Sequence, residues 1–255
     1  MSFRAAGGPK DVSRQEPRPP PEPQDAEPIW LEPCPDALMD GLPDAPPGTD
    51  ARYDRRESMS LSFVAGLQQL PPLVRATVVL RDVLGFTAEE VADMLDTNEG
   101  SVHSAIVRAR DALDGLLPAR HGEAAPPPGS ARERELVGSF AEAFEARDLR
   151  RLTAVLSEDV CLTMPPAPVA YEGYEAIGRF LAGRSFWSPS ARVRMLATRA
   201  NGQPALAYYV GPRDGELLRG HGLLVLTLEG DRVAAVARFG EGLLERFDLP
   251  RTLRG

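Results

Sequence analysis

Lysine is almost missing from this sequence: Lys10 stands alone against 28 arginines. Cysteine is scarce too, with only Cys34 and Cys161, far apart and without partners at metal-ligand spacing. That excludes a disulfide framework or a zinc site and predicts two reduced thiols of a cytoplasmic protein. No stretch approaches the roughly 18 continuous apolar residues of a membrane span. The N-terminus lacks a charged start followed by an apolar run, so no secretory signal is predicted. Basic charge is in deficit, with a formal net charge of −8, so the chain as a whole is no polycation coating nucleic acid. No Gly-rich phosphate loop or nucleophile elbow occurs, and neither cofactor nor metal is expected. Arginine in place of lysine, with abundant Ala, Pro and Gly, fits a high-GC bacterial coding sequence.

What is present divides along the chain. A length of 255 residues allows one or two domains, each able to bury a core. Residues 1–28 are polar and proline-rich with no apolar period, and predict a disordered tail. Residues 29–54 hold a few apolar anchors among prolines and read as a linker. Residues 55–117 read as helices. Pro118 to Ser130 is a second linker by composition, with His121 as a solvated loop residue. Residues 131–255 form the remaining domain. Charge is uneven: residues 1–58 carry 7 basic and 12 acidic groups, residues 59–117 carry 4 and 8, and residues 130–255 carry 17 and 16.

The stretch Leu70 to Leu117 organises the N-terminal half. Thr87 with Glu90 three residues on is a capping-box signature, and Val91, Met94 and Leu95 follow at helical spacing. Asp96-Thr97-Asn98 interrupts with turn-forming side chains. A second helix carries Val102, Ala105, Ile106, Ala109, Leu113 and Leu116 as its apolar stripe. Its other face shows Ser101, His103, Ser104, Arg108, Arg110 and Asp111. Two short helices, a tight turn and a polar second helix fit a helix-turn-helix. Two further helices, Arg55 to Leu70 and Leu73 to Leu84, separated by Pro71-Pro72, would support it.

These residues resemble region 4 of extracytoplasmic-function (ECF) sigma factors, a sigma-70-family group. The ordered marks are Leu70-Pro71, Leu80-Arg81-Asp82, Gly85-Phe86, Glu89-Glu90-Val91-Ala92 and Arg108-Ala109-Arg110. Trp30-Leu31-Glu32-Pro33 with Pro35-Asp36-Ala37-Leu38 resembles the linker between regions 2 and 4 in one group of these factors. The resemblance implies promoter DNA of the −35 type and core RNA polymerase as partners. It implies DNA contacts from Ser101, His103, Ser104, Arg108 and Arg110, with arginine suited to guanine or phosphate. This chain departs from the pattern at Leu73 and Val74, where relatives are often polar or basic, and at His103, where many have Lys or Asn. An acidic helix-turn-helix is a poor autonomous DNA binder, because affinity rests largely on phosphate neutralisation.

From Ala131 the pattern changes. Leu136, Phe140, Ala143 and Phe144 predict an amphipathic helix, Leu149–Leu156 a shorter one, and Tyr171 to Leu181 another. Strands are predicted at Val160–Met164, Val193–Thr198, Ala205–Tyr209, Gly220–Leu228 and Arg232–Phe239, with Glu229-Gly230-Asp231 as a hairpin turn. Helices followed by an antiparallel sheet give an α+β domain. Order and length resemble the SnoaL-like branch of the NTF2 superfamily, a cone with a pocket. Supporting stretches include Ser157-Glu158-Asp159-Val160, Tyr171 to Ile177, Asn201-Gly202-Gln203-Pro204-Ala205 and Phe247 with Leu249-Pro250. The whole chain is therefore expected to be multidomain, an all-α helix-turn-helix followed by an α+β SnoaL-like cone.

The SnoaL-like resemblance implies a cavity that takes a small-molecule ligand. Asp159, Tyr171, Trp187, Tyr208, His221 and Arg238 are the polar or aromatic residues available to it. If the pocket is an enzyme, a cyclase or isomerase of a polyketide-type metabolite, His221 is the general base and Asp159 its acidic partner. That enzyme is the alternative; the leading reading is a non-enzymatic transcription factor whose C-terminal domain modulates region 4. Residues 1–58 are too short, proline-rich and acidic to supply region 2, so independent promoter opening is not expected.

Overall fold

Ser60 opens the first helix of the N-terminal half, its side chain accepting from the Phe63 amide. In the computed structural model, residues 31–39, 58–116 and 124–254 are described. The predicted tail, most of the first linker including Trp30, and His121 lie outside them. Helix α1 (Leu61–Gln69) ends before Pro71, where the chain restarts as α2 (Pro72–Val78) and widens into a π turn at Val79–Val83. Arg75 reaches back and donates to the Leu67, Gln68 and Leu70 carbonyls. It thereby satisfies carbonyl groups that the end of α1 leaves without helical partners. Helix α3 (Ala88–Met94) begins with the predicted capping box: the Glu90 amide donates to Thr87 Oγ1, and the Thr87 amide to Glu90 Oε2. Asn98 Oδ1 accepts from the Ser101 amide and starts α4 (Glu99–Leu116).

The stripe of α4 packs as its periodicity requires. Ala105, Ile106, Ala109 and Leu113 meet Phe63, Leu70, Val74 and Val78, while Val102 joins Val91 and Ala92. The side chain of Leu116 lies outside the described set. Phe63 is fully buried, and withdrawing such a ring from water stabilises by roughly 1.5–3 kcal/mol. Gly66 lets α1 approach α4: a Cβ there would stand 2.9 Å from the Leu113 side chain.

The C-terminal half is α+β. Helices α5 (Ala131–Ala146) and α6 (Leu149–Val155) lead into β1 (Leu156–Met164) and β2 (Ala167–Glu172). Helix α7 (Tyr174–Ala182) and a 3-10 turn at Ser185–Trp187 precede β3 (Ala191–Ala200), β4 (Gln203–Pro212), β5 (Leu217–Glu229) and β6 (Arg232–Phe239). A 3-10 segment at Glu241–Phe247 and β7 (Thr252–Arg254) close the chain. The sheet runs β2-β1-β6-β5-β4-β3, with β7 added to β5; only β1 and β6 pair in parallel.

The predicted strands are all present, most of them longer than predicted, and β2 and β7 are additional. β1 starts at Leu156, four residues before the apolar alternation becomes visible. Tyr171 belongs to β2, not to the helix, which begins after Gly173 adopts a positive φ of 78°. β2 itself has little buried surface and hence little apolar signal.

The sheet has two apolar faces. One carries Phe140, Phe144, Leu152, Phe180, Phe186 and Tyr208 under the helices. The other carries Tyr209, Leu218, Leu223, Phe239 and Leu244, and against them sit Leu31 of the linker and Leu61 of α1. Successive residues of β4 point to opposite faces, so Tyr208 and Tyr209 divide between the two cores.

The β3–β4 hairpin fastens the halves together. Asn201 and Gly202 form its two-residue turn with φ of 56° and 70°, as a primed hairpin turn requires. Asn201 accepts from the Cys34 amide through Oδ1 (2.8 Å), donates its own amide to the Cys34 carbonyl (2.9 Å), and donates Nδ2 to the Met59 carbonyl (2.9 Å). Gln203 Oε1 accepts from the Leu61 amide at 3.0 Å. Arg199 joins Asp36 of the linker to the buried Glu133 of α5.

Candidate nucleic-acid interface and C-terminal cavity

Helix α4 presents a polar strip because its apolar stripe is spent on the core. Ser101, His103, Ser104 and Arg108 are exposed there. Their side chains are held by the helix's own backbone: His103 Nδ1 lies 2.9 Å from the Glu99 carbonyl, Ser104 Oγ donates to Gly100, and Arg108 Nε to Ser104. Among the described residues no carboxylate pairs with Arg108. Beside this strip Leu73 and Val107 remain 54% and 58% exposed, and a shallow groove runs between the start of α2 and α4, floored by Thr77, Asn98 and Ser101. Sequence patterning gives no reason to single out Val107 or the groove, since both depend on the angle at which α2 meets α4.

Arg110 does not join the strip. Its Nε and a terminal nitrogen donate to the two carboxylate oxygens of Asp82, at 3.0 and 2.7 Å. Asp82 is 1% exposed, Arg110 36%. The expectation of Arg110 as a DNA-facing arginine is therefore corrected: its fork is committed to the π turn that closes α2. The two marks Leu80-Arg81-Asp82 and Arg108-Ala109-Arg110 are thus one contact seen from its two ends.

In the C-terminal domain the helices and the sheet enclose a small cavity of about 30 Å³. Its wall is apolar, from Phe140, Phe144, Phe180 and Phe186 to Leu224 and Val236, and turns polar only at Tyr208 and Arg238. Arg238 Nε donates to Tyr208 Oη at 2.6 Å. His221 stands at this end, its ring 5.3 Å from those of Phe186 and Tyr208. The strand register explains its aim. Tyr208 faces Gly222 and Tyr209 faces Gly220, so His221 is the extra residue of a bulge. Both flanking glycines are required by close approach: a Cβ at Gly222 would lie 2.4 Å from the Phe239 carbonyl, and one at Gly220 2.4 Å from Leu244. Burial, helped by the Arg238 cation and opposed by Glu241, holds the His221 imidazole below the usual histidine value. Burial raises the Tyr208 phenol, with Arg238 opposing.

The expected acid–base pair is not assembled. Asp159 is exposed on β1, in an outer depression with Thr153, Tyr174, Asp231 and Arg232, and neither it nor His221 is among the residues that line the apolar cavity. The reason is register: within β1, Leu162 faces the cavity whereas Asp159 lies near the strand's start, on the side away from it. Trp187 packs edge-on against Phe144, and Tyr171 against Phe180. Among the described residues no three His, Cys, Asp or Glu side chains gather as a metal site, and no helix is long and apolar enough to cross a membrane.

Residues 60–113 match the family model of sigma-70, region 4, and residues 137–236 that of the SnoaL-like domain. The ECF RNA polymerase sigma factor SigG of Mycobacterium tuberculosis (strain CDC 1551 / Oshkosh) is 35% identical over 225 residues, 88% of this chain and 59% of SigG. SigJ of Mycobacterium tuberculosis (strain ATCC 25618 / H37Rv) is 28% identical over 160 residues, 60% of this chain and 48% of SigJ. The chain thus spans less than two-thirds of the length of these relatives. The crystal structure of the Mycobacterium tuberculosis ECF sigma factor SigJ superposes with a TM-score of 0.53 at 22% identity, over 76% of this chain and 68% of that one. That likeness is one of fold.

Proposed function

From a chain that carries a sigma-70 region 4 followed by a SnoaL-like domain, and that is related to ECF sigma factors over most of its length, we propose a transcription factor that binds −35-type promoter DNA and core RNA polymerase through region 4. The C-terminal domain modulates this activity. Helix α4 lies in the major groove, with Ser101, His103, Ser104 and Arg108 toward the DNA. The observation that carries the reading is the outward strip of α4 with Arg108 free of any carboxylate among the described residues, while Arg110 anchors the same helix from behind. Arg108 supplies the cation for phosphate or guanine, and the serines supply hydroxyls for phosphate oxygens. Polymerase compensates for the acidic balance of residues 59–117 by holding region 4 over the promoter. The role is non-enzymatic, in keeping with an Asp159 that stands apart from His221.

The test is binding of the purified chain to duplex promoter DNA and to core polymerase, compared with Arg108→Ala. The variant is expected to keep polymerase binding and to lose DNA affinity about tenfold or more, as removal of a charge-assisted contact does. An intact chain that binds neither partner overturns the proposal.

A further inference from the structure

The outward face of α4 has its hydrogen-bonding character set by the helix itself. His103 Nδ1 lies 2.9 Å from the Glu99 carbonyl oxygen. A carbonyl oxygen only accepts, so Nδ1 carries the hydrogen, and the lone pair of the neutral ring sits on Nε2. Ser104 Oγ gives its single hydrogen to the Gly100 carbonyl at 2.9 Å. Both residues are exposed, and among the described residues neither side chain makes a further hydrogen bond. What they offer outward is therefore acceptors. Phosphate oxygens accept as well, so these two side chains do not suit the DNA backbone, and that contact falls to Ser101 and Arg108. On the major-groove edges of the bases the donors are the exocyclic amino groups of adenine and cytosine. Guanine O6 and N7 and thymine O4 would set acceptor against acceptor.

Val107 follows four residues after His103 and three after Ser104, hence one turn on along the same face. It is exposed, whereas Val102, Ala105, Ile106, Ala109 and Leu113 fill the core on the other side of the helix. A single exposed valine is ordinary on a protein surface. This one stands inside the strip that enters the groove, and the apolar group a base edge presents there is the thymine C5-methyl.

We propose that α4 reads an exocyclic amino group through His103 Nε2 and a neighbouring thymine methyl through Val107. Ser104 beside them adds no competing donor. The proposal rests on the reading of α4 as the DNA-facing helix and names the base chemistry that helix recognises.

The experiment lets the full chain, together with core polymerase, enrich a sequence from a pool of randomised duplexes. The enriched duplex is then altered one group at a time, at about pH 8, where an ordinary imidazole is neutral. Uracil for thymine removes only the methyl. Purine for adenine, or 2-pyrimidinone for cytosine, removes only the amino group and tells which base supplies it. One uracil replacement is expected to weaken binding about fourfold, as loss of a buried methyl predicts. One amino deletion is expected to weaken it about tenfold. In Val107→Ala the uracil effect is expected to vanish, and in His103→Ala the amino effect, both variants being checked for helix content by circular dichroism. A duplex indifferent to every uracil replacement, or one equally sensitive in Val107→Ala, overturns the methyl contact. The same two results with amino deletions and His103→Ala overturn the amino contact. Val107→Ala that weakens polymerase binding and leaves the uracil effect intact makes Val107 a protein contact and overturns its role on DNA. Sequence-specific binding with both effects absent overturns this inference and leaves the DNA-binding reading standing. A chain that enriches no duplex overturns both.

Discussion

Arg110 on the last turns of α4 and Asp82 in the π turn after α2 form a two-pronged ion pair, with bonds of 3.0 and 2.7 Å, that ties the recognition helix to its support. The two partners are unequally buried, and the consequences of losing either one should differ. Arg110→Ala leaves the Asp82 carboxylate at 1% exposure without its cation, a situation that costs about 3–5 kcal/mol. Asp82→Ala leaves an arginine that can turn to water, and the loss should be nearer 1–2 kcal/mol once solvent screening is counted. Urea unfolding of region 4 checks the order: Arg110→Ala must be the more destabilised.

Arg108 should be visible in the salt dependence of DNA binding. If it meets a phosphate, Arg108→Ala lowers the slope of log affinity against log salt by about 0.9. If it reads guanine, specificity at one base pair relaxes by roughly 1–3 kcal/mol while the slope changes less. Titrations at several salt concentrations on matched and mismatched duplexes separate the two.

The Asn201 turn should hold region 4 against the sheet. Asn201→Gly keeps the left-handed backbone but removes the amide that bonds Cys34 and Met59. The expected cost is about 1–3 kcal/mol. Hydrogen exchange gives the local reading. In Gln203→Ala the Leu61 amide, which now donates to Gln203 Oε1, should exchange at least about tenfold faster, with β1 amides unchanged.

Tyr209 hides its hydroxyl in the core beneath Leu61, without a partner among the described residues. A buried hydroxyl left unpaired costs about 1–3 kcal/mol. Tyr209→Phe should therefore raise the melting temperature. A lowered melting point would mean that the hydroxyl has found a bond, and would remove this account.

His221 gives the C-terminal domain a pH dependence of predictable sign. Its folded-state pKa lies below the ordinary 6.5, chiefly through burial and secondly through Arg238. The unfolded chain therefore takes up the proton first, and stability falls as pH drops below that value. Above it both states hold neutral histidine and the contribution is complete. Melting temperatures between about pH 7.5 and 5 should decline less in His221→Gln than in the unmodified chain.

Much of this was legible in residues alone. The capping box of Thr87 and Glu90 and the stripe of α4 are local patterns whose geometry follows from helical spacing, and both are present. Five of the seven strands likewise follow from alternation, whereas β2 and β7, with little buried surface, give no such signal. Arg110 shows where such reading stops. On a helical wheel it borders the exposed face, and only the π turn, which shifts Asp82 inward, makes it structural. Asp159 and His221 fail as a pair for a related reason: strand spacing assigns faces, but the bulge at His221 changes the count on one strand only. Arg238 was visible as a polar residue in a strand, whereas its bond to Tyr208 depends on which side chains the tertiary fold brings together.

One peptide bond separates Tyr208 from Tyr209, and with it the chamber lined by phenylalanines from the surface on which Leu61 rests. The strand between them is a partition of single thickness. Whatever bows it from one room must dent the other, so the packing of the phenylalanine-lined core and the seating of α1 cannot be tuned as independent quantities.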